Sequence, residues 1–193
     1  GQARENMPGP PKGAAQIMRM FGVTESGNSI MAHVHGFVPY FYILAPNDFD
    51  GSKCKDFQEQ LNRILLADMQ AQSKGQQVPT AVLQVEIVLK QSLYGFQKKE
   101  KQPFIKITVC LPSLISKAVN ILNKGDFFGM PFDIQCFESN IEFGVRFMVD
   151  LNVVGCSWIE LPAGKYTIRP REECESRSQI EVDIAYNDFI SYE

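Results

Sequence analysis

No stretch of this sequence approaches the ~20 consecutive apolar residues of a membrane-spanning helix, and no secretory signal opens it. Histidine is scarce, with only His33 and His35, and Trp158 is the single tryptophan. The cysteines, Cys54, Cys110, Cys136, Cys156 and Cys174, are odd in number and widely spaced. A disulfide framework or a zinc finger needs closer pairs, so they read as reduced thiols of a soluble intracellular protein. An excess of charge is also missing. With 19 basic and 22 acidic side chains the net charge is −3, which argues against a whole surface built to hold nucleic acid. A local basic patch remains open. There is no internal repeat, no phosphate-binding lysine loop, no paired-glycine dinucleotide fingerprint and no glycine-flanked nucleophile elbow. What is present is ordinary globular composition, 45% hydrophobic and 21% charged, over 193 residues. That length suits one domain or two interlocked subdomains.

The chain divides by pattern. Residues 1–14, rich in proline and glycine, predict a disordered tail. Residues 15–24 and 29–36 read as a hairpin about Glu25-Ser26-Gly27-Asn28. Its second strand alternates Ile30, Ala32 and Val34 against Met31, His33 and His35. A strand follows at 40–44, then a helix at 52–71 with Phe57, Leu61, Ile64 and Leu65 at helical spacing. Strands at 81–90 and 104–111 flank a lysine-rich loop. A second helix starts at Ser113 after Pro112 and stops at Lys124-Gly125, and a last strand is expected near 134–137. Strand, helix, strand, strand, helix, strand is the split βαβ order of ferredoxin-like and RNA-recognition folds.

Ser139 and Glu142 stand at capping-box spacing, predicting a helix over 139–152. Glu142, Arg146 and Asp150 would form one charged stripe. Ile141, Val145, Met148 and Val149, with Phe143, Phe147 and Leu151, make the remainder apolar, the pattern of a buried helix. Strands at 156–161, carrying Trp158, at 165–169 and at 178–186 complete the chain. The expected fold is therefore α+β. A five-stranded oligonucleotide-binding-type barrel (15–36 plus 153–193) holds an inserted split βαβ subdomain (37–137), joined by a buried helix (138–152). Ser139, Glu142, Arg146, Asp150 and Trp158 mark that structural hub.

Several segments here carry a family likeness. Glu138-Ser139-Asn140-Ile141, Arg146-Phe147-Met148-Val149-Asp150, Gly155-Cys156-Ser157-Trp158-Ile159-Glu160-Leu161-Pro162 and Gly164-Lys165-Tyr166 resemble eukaryotic replicative family-B DNA polymerases, those of the delta class above all. Arg19-Met20-Phe21-Gly22-Val23, His35-Gly36-Phe37 with Tyr40-Phe41-Tyr42, Ser92-Leu93-Tyr94-Gly95 and Ile180-Glu181-Val182 extend the resemblance over nearly all of 15–193. It implies a non-catalytic N-terminal domain that braces the exonuclease and palm domains of the same chain and lies along single-stranded template. It also implies a nuclear location and contact with other polymerase subunits through a C-terminal part. Magnesium, and an iron–sulfur cluster or zinc, would serve the parent enzyme outside these residues. The exonuclease motif would follow shortly after Glu193.

Polymerases of this kind need paired carboxylates for two-metal chemistry. Asp183-Ile184-Ala185 is the nearest match, but it lacks a second acid, and alternation turns Glu181 and Asp183 outward. No catalytic residue and no metal ligand is assigned. His33 and His35 share a face at a chelating spacing without a third ligand, so two surface histidines are the commoner reading. Tyr40, Tyr42, Phe104 and Lys106 fall on the sheet face opposite the helices, where RNA-recognition domains stack bases. The competing reading makes these aromatics core. Lys98, Lys99 and Lys101, and Arg169 and Arg171, could rest on phosphates, against the commoner solvated loop. Two alternatives stay open beside template contact: a pure interaction scaffold, and an independent single-strand-binding module.

Overall fold

The computed structural model describes residues 16–72, 78–91, 100–131 and 133–192. The expected tail at 1–14, Lys98 and Lys99 lie outside the described residues. In chain order the strands and helices are β1 (Met18–Val23), β2 (Ser29–His35), β3 (Tyr40–Leu44), α1 (Cys54–Gln72), β4 (Val82–Lys90), β5 (Gln102–Val109), α2 (Ser113–Asn123) and β6 (Cys136–Phe137). Then come α3 (Phe143–Leu151), β7 (Trp158–Glu160), β8 (Tyr166–Ile168), β9 (Ile180–Ala185) and β10 (Ile190–Tyr192). They fall into two compact units, residues 38–141 and residues 1–37 with 142–193.

The 38–141 unit is a four-stranded sheet in the order β4-β5-β3-β6, every neighbouring pair antiparallel. The β3–α1–β4 crossover steps over β5, and the β5–α2–β6 crossover steps over β3. The two βαβ halves therefore interleave, as the element order predicted. One sheet face carries Phe41, Ile43, Val85, Ile105 and Ile107, all buried, and α1 contributes buried Phe57, Leu61, Leu65 and Met69 to the same core. Ile64, expected inward, is exposed instead, because the stripe through 57, 61, 65 and 69 leaves it off the buried face.

Asp50 starts α1 by accepting a hydrogen bond from the Ser52 N–H at 2.9 Å through a preceding single helical turn. An irregularity between Val82 and Gln84 leaves β4 backbone groups without ladder partners. Two polar residues of α1 meet them. Gln58 Nε2 donates to the Val82 and Leu83 carbonyls at 3.1 and 3.0 Å, and Asn62 Oδ1 accepts from the Ala81 and Val82 N–H groups at 2.8 and 3.1 Å.

The other unit is a four-stranded sheet in the order β1-β2-β9-β8, with β2 and β9 parallel and the remaining pairs antiparallel. Its core is Ala32, Val34, Val182 and Ile184 from the sheet against Phe37 and Phe147. Phe37 is the centre, with Phe143, Phe147 and Tyr186 at ring distances of 5.3, 5.2 and 6.0 Å. Among the described residues the strands form this four-stranded sheet and a separate ribbon, and do not show the expected five-stranded barrel. The strand holding Trp158 leaves the sheet and pairs with β10, which periodicity did not predict, in a separate two-stranded ribbon. Three-residue strands show too little alternation to reveal their partner.

Two expectations about the helix at 139–152 also change. It starts at Phe143, after a turn through Ser139 and Asn140, and Glu142 stands at its N-cap with no side-chain capping bond. Ser139 is thus too far upstream for the capping box. Its buried residues are Arg146 and Phe147, whereas Ile141, Val145, Met148 and Val149 face outward, Val149 at 72% exposure. Only the phenylalanine stripe meets the core. The predicted end holds: Asn152 adopts the left-handed conformation, and its N–H meets the Met148 and Val149 carbonyls.

Candidate nucleic-acid interface and a buried charge cluster

Antiparallel register places Tyr40 opposite Thr108, Tyr42 opposite Lys106 and Leu44 opposite Phe104. Because directly opposed residues share a sheet face, Tyr40, Tyr42, Phe104 and Lys106 lie together on the face away from the Phe41–Ile107 core. Pairing adds Phe137 beside Tyr42, and Glu86 beside Lys106. Lys106 Nζ sits 4.6 Å from the Tyr40 ring centroid and 3.4 Å from Glu86 Oε1, and Lys90 Nζ sits 5.6 Å from the Tyr42 ring. Phe104 packs edge-on against Phe137 at 5.2 Å.

Coplanarity on one face is not openness. Tyr42 is 7% exposed and Phe104 3%, so neither offers a ring face for a base to stack on. Tyr40 is half-buried and Lys106 is partly exposed. Lys101 and Arg171 stand in solvent.

Arg169 is spoken for. Its Nε donates to Asp183 Oδ2 at 2.9 Å and an Nη donates to Oδ1 at 2.7 Å, a forked pair that ties β8's end to β9. Burial opposes the charge, but the hydrogen bonds to Asp183 outweigh it and hold the guanidinium pKa above its ordinary value. A phosphate contact from Arg169 would have to break this pair.

Asp183 belongs to a cluster that alternation located on the correct face and assigned wrongly to solvent. His33, His35, Glu181 and Asp183 are all buried. His33 lies opposite Asp183 in the parallel register, yet each imidazole reaches along the sheet. His33 Nε2 meets Glu181 Oε2 at 3.0 Å, and His35 Nε2 meets Asp183 Oδ1 at 2.7 Å. Glu181 Oε1 also accepts from the Ser176 N–H at 2.7 Å.

The cover comes from the segment after β8. It leaves the β8 edge at Arg169, supplies Ser176 to Glu181, and ion-pairs Glu175 with Arg19 on β1 at the opposite edge. The 169–176 stretch therefore crosses the sheet face and shuts out water. Burial pushes His33 below the ordinary imidazole pKa despite Glu181 beside it, so its neutral Nε2–H donates to the carboxylate. Burial pushes Glu181 the other way, but the backbone bonds at Ser176 and Glu175, with His33, win and keep its carboxyl below the ordinary range. His35 Nδ1 is buried and meets no hydrogen-bond partner among the described residues.

As chemistry, this is a buried hydrogen-bonded lock built around one forked ion pair. Asp183 of the Asp-Ile-Ala sequence spends its oxygens on Arg169 and His35, and among the described residues no group of three or more His, Cys, Asp or Glu is placed to hold a metal ion. All five cysteines are free thiols, and burial pushes Cys110 up to about 11, far from a reactive thiolate. Trp158, taken as part of the hub, stands 65% exposed on β7.

Comparison with known proteins sets these sites in a lineage. Residues 36–116 match the family described as DNA polymerase delta catalytic subunit-like, N-terminal domain, and residues 134–193 match DNA polymerase family B, exonuclease domain. The DNA polymerase delta catalytic subunit of Drosophila melanogaster is 46% identical over 198 residues, covering 100% of this chain and 18% of that protein. The chain belongs to the DNA polymerase delta catalytic subunit family. The delta catalytic subunit of Arabidopsis thaliana is 41% identical over 98% of the chain, and that of Schizosaccharomyces pombe 40% over 93%.

Among solved structures, the family B DNA polymerase of Pyrobaculum calidifontis superposes with a TM-score of 0.63 at 19% identity, covering 94% of the chain and 19% of that polymerase. The chain thus spans less than a fifth of the polymerase delta relatives it matches. One boundary shifts. The family resemblance puts the exonuclease motif after Glu193, whereas the match to the exonuclease domain already begins at residue 134, ahead of α3. The catalytic motif and the start of the matched region are different landmarks, and only the first can be seen in residue chemistry.

Proposed function

We propose that these residues are a non-catalytic support within a nuclear, DNA-directed DNA polymerase that has 3′–5′ exonuclease activity. In this reading they brace the exonuclease and palm domains of the same polypeptide. The parent's magnesium, its iron–sulfur cluster or zinc, and its contacts with other subunits are supplied outside this span.

The observation that carries the proposal is the Arg169–Asp183–His35 arrangement, in which the one motif-like aspartate serves as a fold lock. The experiment is Asp183→Asn in the parent polymerase, followed over a divalent-metal titration of polymerase and exonuclease rates. Unchanged metal dependence per folded molecule is expected. A shifted metal requirement would make Asp183 a ligand and defeat the reading.

A second reading, contact with single-stranded template, has one specific observation in its favour. Lys106 above the half-buried Tyr40, with Lys90 nearby, leaves a small cationic aromatic patch. Lys101 and Arg171 remain available for phosphates; Tyr42, Phe104 and Arg169 are support for the patch or for the fold. Fluorescence titration with a single-stranded oligonucleotide, at low and moderate salt, decides. Salt-sensitive binding weakened by Tyr40→Ala and Lys106→Ala supports contact, and binding indifferent to both leaves the pure scaffold. Useful affinity without any polymerase partner would favour the independent binding module.

A further inference from the structure

The helix α3 is apolar on two sides and uses only one. Phe143, Phe147 and Leu151 pack on the sheet core, while Val145, Met148 and Val149, spaced i, i+3 and i+4, are exposed along the outward side. Beside its C-terminus lies the β7–β10 ribbon, fixed there by Ser191 Oγ donating to the Leu151 and Asn152 carbonyls at 3.3 and 3.0 Å.

In the ribbon, Trp158 pairs with Tyr192 and Glu160 with Ile190, so these four side chains share its outer face. Trp158, Tyr192 and Ile190 are all exposed there, with Tyr192 Oη donating to Glu160 at 2.6 Å. An apolar helix stripe adjoining an aromatic ribbon is more than the scattered exposure ordinary surfaces carry.

We infer that the outward side of α3 and the outer face of the β7–β10 ribbon form one docking surface for the remainder of the exonuclease region of the same polypeptide. Three observations select this occupant. Every residue of the surface lies within 134–193, the span that matches the family-B exonuclease domain. More than four-fifths of the length of the polymerase delta relatives lies outside the matched span. A two-stranded ribbon is marginal alone and is completed by further strands or by a packed layer. The partner surface is accordingly apolar opposite Val145, Met148 and Val149, and it has a donor within reach of Glu160.

This inference rests on the polymerase reading and is tested without any activity. Hydrogen exchange of α3 and β10 is compared between the 193-residue chain and the parent polymerase, together with the variant Val149→Glu in both. The expected result is strong added protection of 143–151 and 190–192 in the parent. Val149→Glu removes that protection there and leaves the short chain's exchange and Tm unchanged. Equal exchange in both proteins overturns the inference. So does a short chain that dimerises in sedimentation and loses the dimer on Val149→Glu, since a second copy is then the occupant. Protection that appears only on adding a separate subunit also overturns it. A parent that lacks nucleotidyl transfer yet shows the protection defeats the functional reading and leaves the docking surface standing.

Discussion

The two sheets have the same alternation in sequence and opposite fates on their second faces. In the 38–141 unit the face away from the core holds tyrosines, a phenylalanine and lysines, and it ends partly covered, with Lys106 spread over Tyr40. In the other unit the corresponding face holds His33, His35, Glu181 and Asp183, and it ends sealed beneath the 169–176 segment. Period two reports which residues are companions. It does not report whether their face is wet, because that depends on a connection elsewhere in the chain.

The largest expected break comes from Asp183→Ala, which strands a nearly buried Arg169 and removes the acceptor of His35. A loss of about 3–5 kcal/mol is expected in urea denaturation. Arg169→Met combined with Asp183→Leu should recover the share due to the stranded guanidinium, since a packed apolar pair carries no desolvation penalty, while His35 still lacks its acceptor. In the other unit Leu61→Ala, at a fully buried position, should cost about 2–5 kcal/mol through lost transfer energy and a cavity.

Acid distinguishes the units more gently. His33 titrates below its ordinary 6.5 and Glu181 below its ordinary 4.5, so the folded state binds fewer protons than the unfolded chain in both windows. Stability therefore falls as pH drops below 6.5 and falls again below 4.5. His33→Gln, which keeps an N–H for Glu181 without titrating, should flatten the first decline and leave the second, as read from Tm against pH. Smallest of all is Lys106→Ala, which releases one cation–π contact and a partly exposed ion pair and should cost no more than about 1 kcal/mol.

Long periodic runs made much of this legible in advance. The interleaved βαβ order, the limits of α2 at Pro112 and Lys124, and the Asn152 stop of α3 all follow from spacing and capping residues. The failures, with one exception, share a cause. Ser139 and Glu142 satisfied a capping pattern locally, but the chain turns first. Trp158 sat in a strand of three residues, too short to name β10 as its partner. Arg169 looked like a phosphate ligand because its carboxylate lies on another strand, and His33 looked solvated because its cover lies more than a hundred residues away. Gln58 and Asn62 were invisible as site residues: nothing in an amphipathic helix announces that two amides will mend a neighbouring strand's irregularity. Apart from the capping box, where a local turn intervened, the missing information was a long-range partner.

The parallel pairing of β2 with β9 has a consequence in time. As the polypeptide leaves the ribosome, residues 38–141 are complete and can collapse while β2 still lacks the strand that will flank it. Ile30, Ala32 and Val34 must wait through that interval with their neighbour unmade, and loop closure over so great a separation is slow. Order of synthesis and order of folding therefore part company: the β1–β2 hairpin is made first, and the sheet it belongs to is completed last.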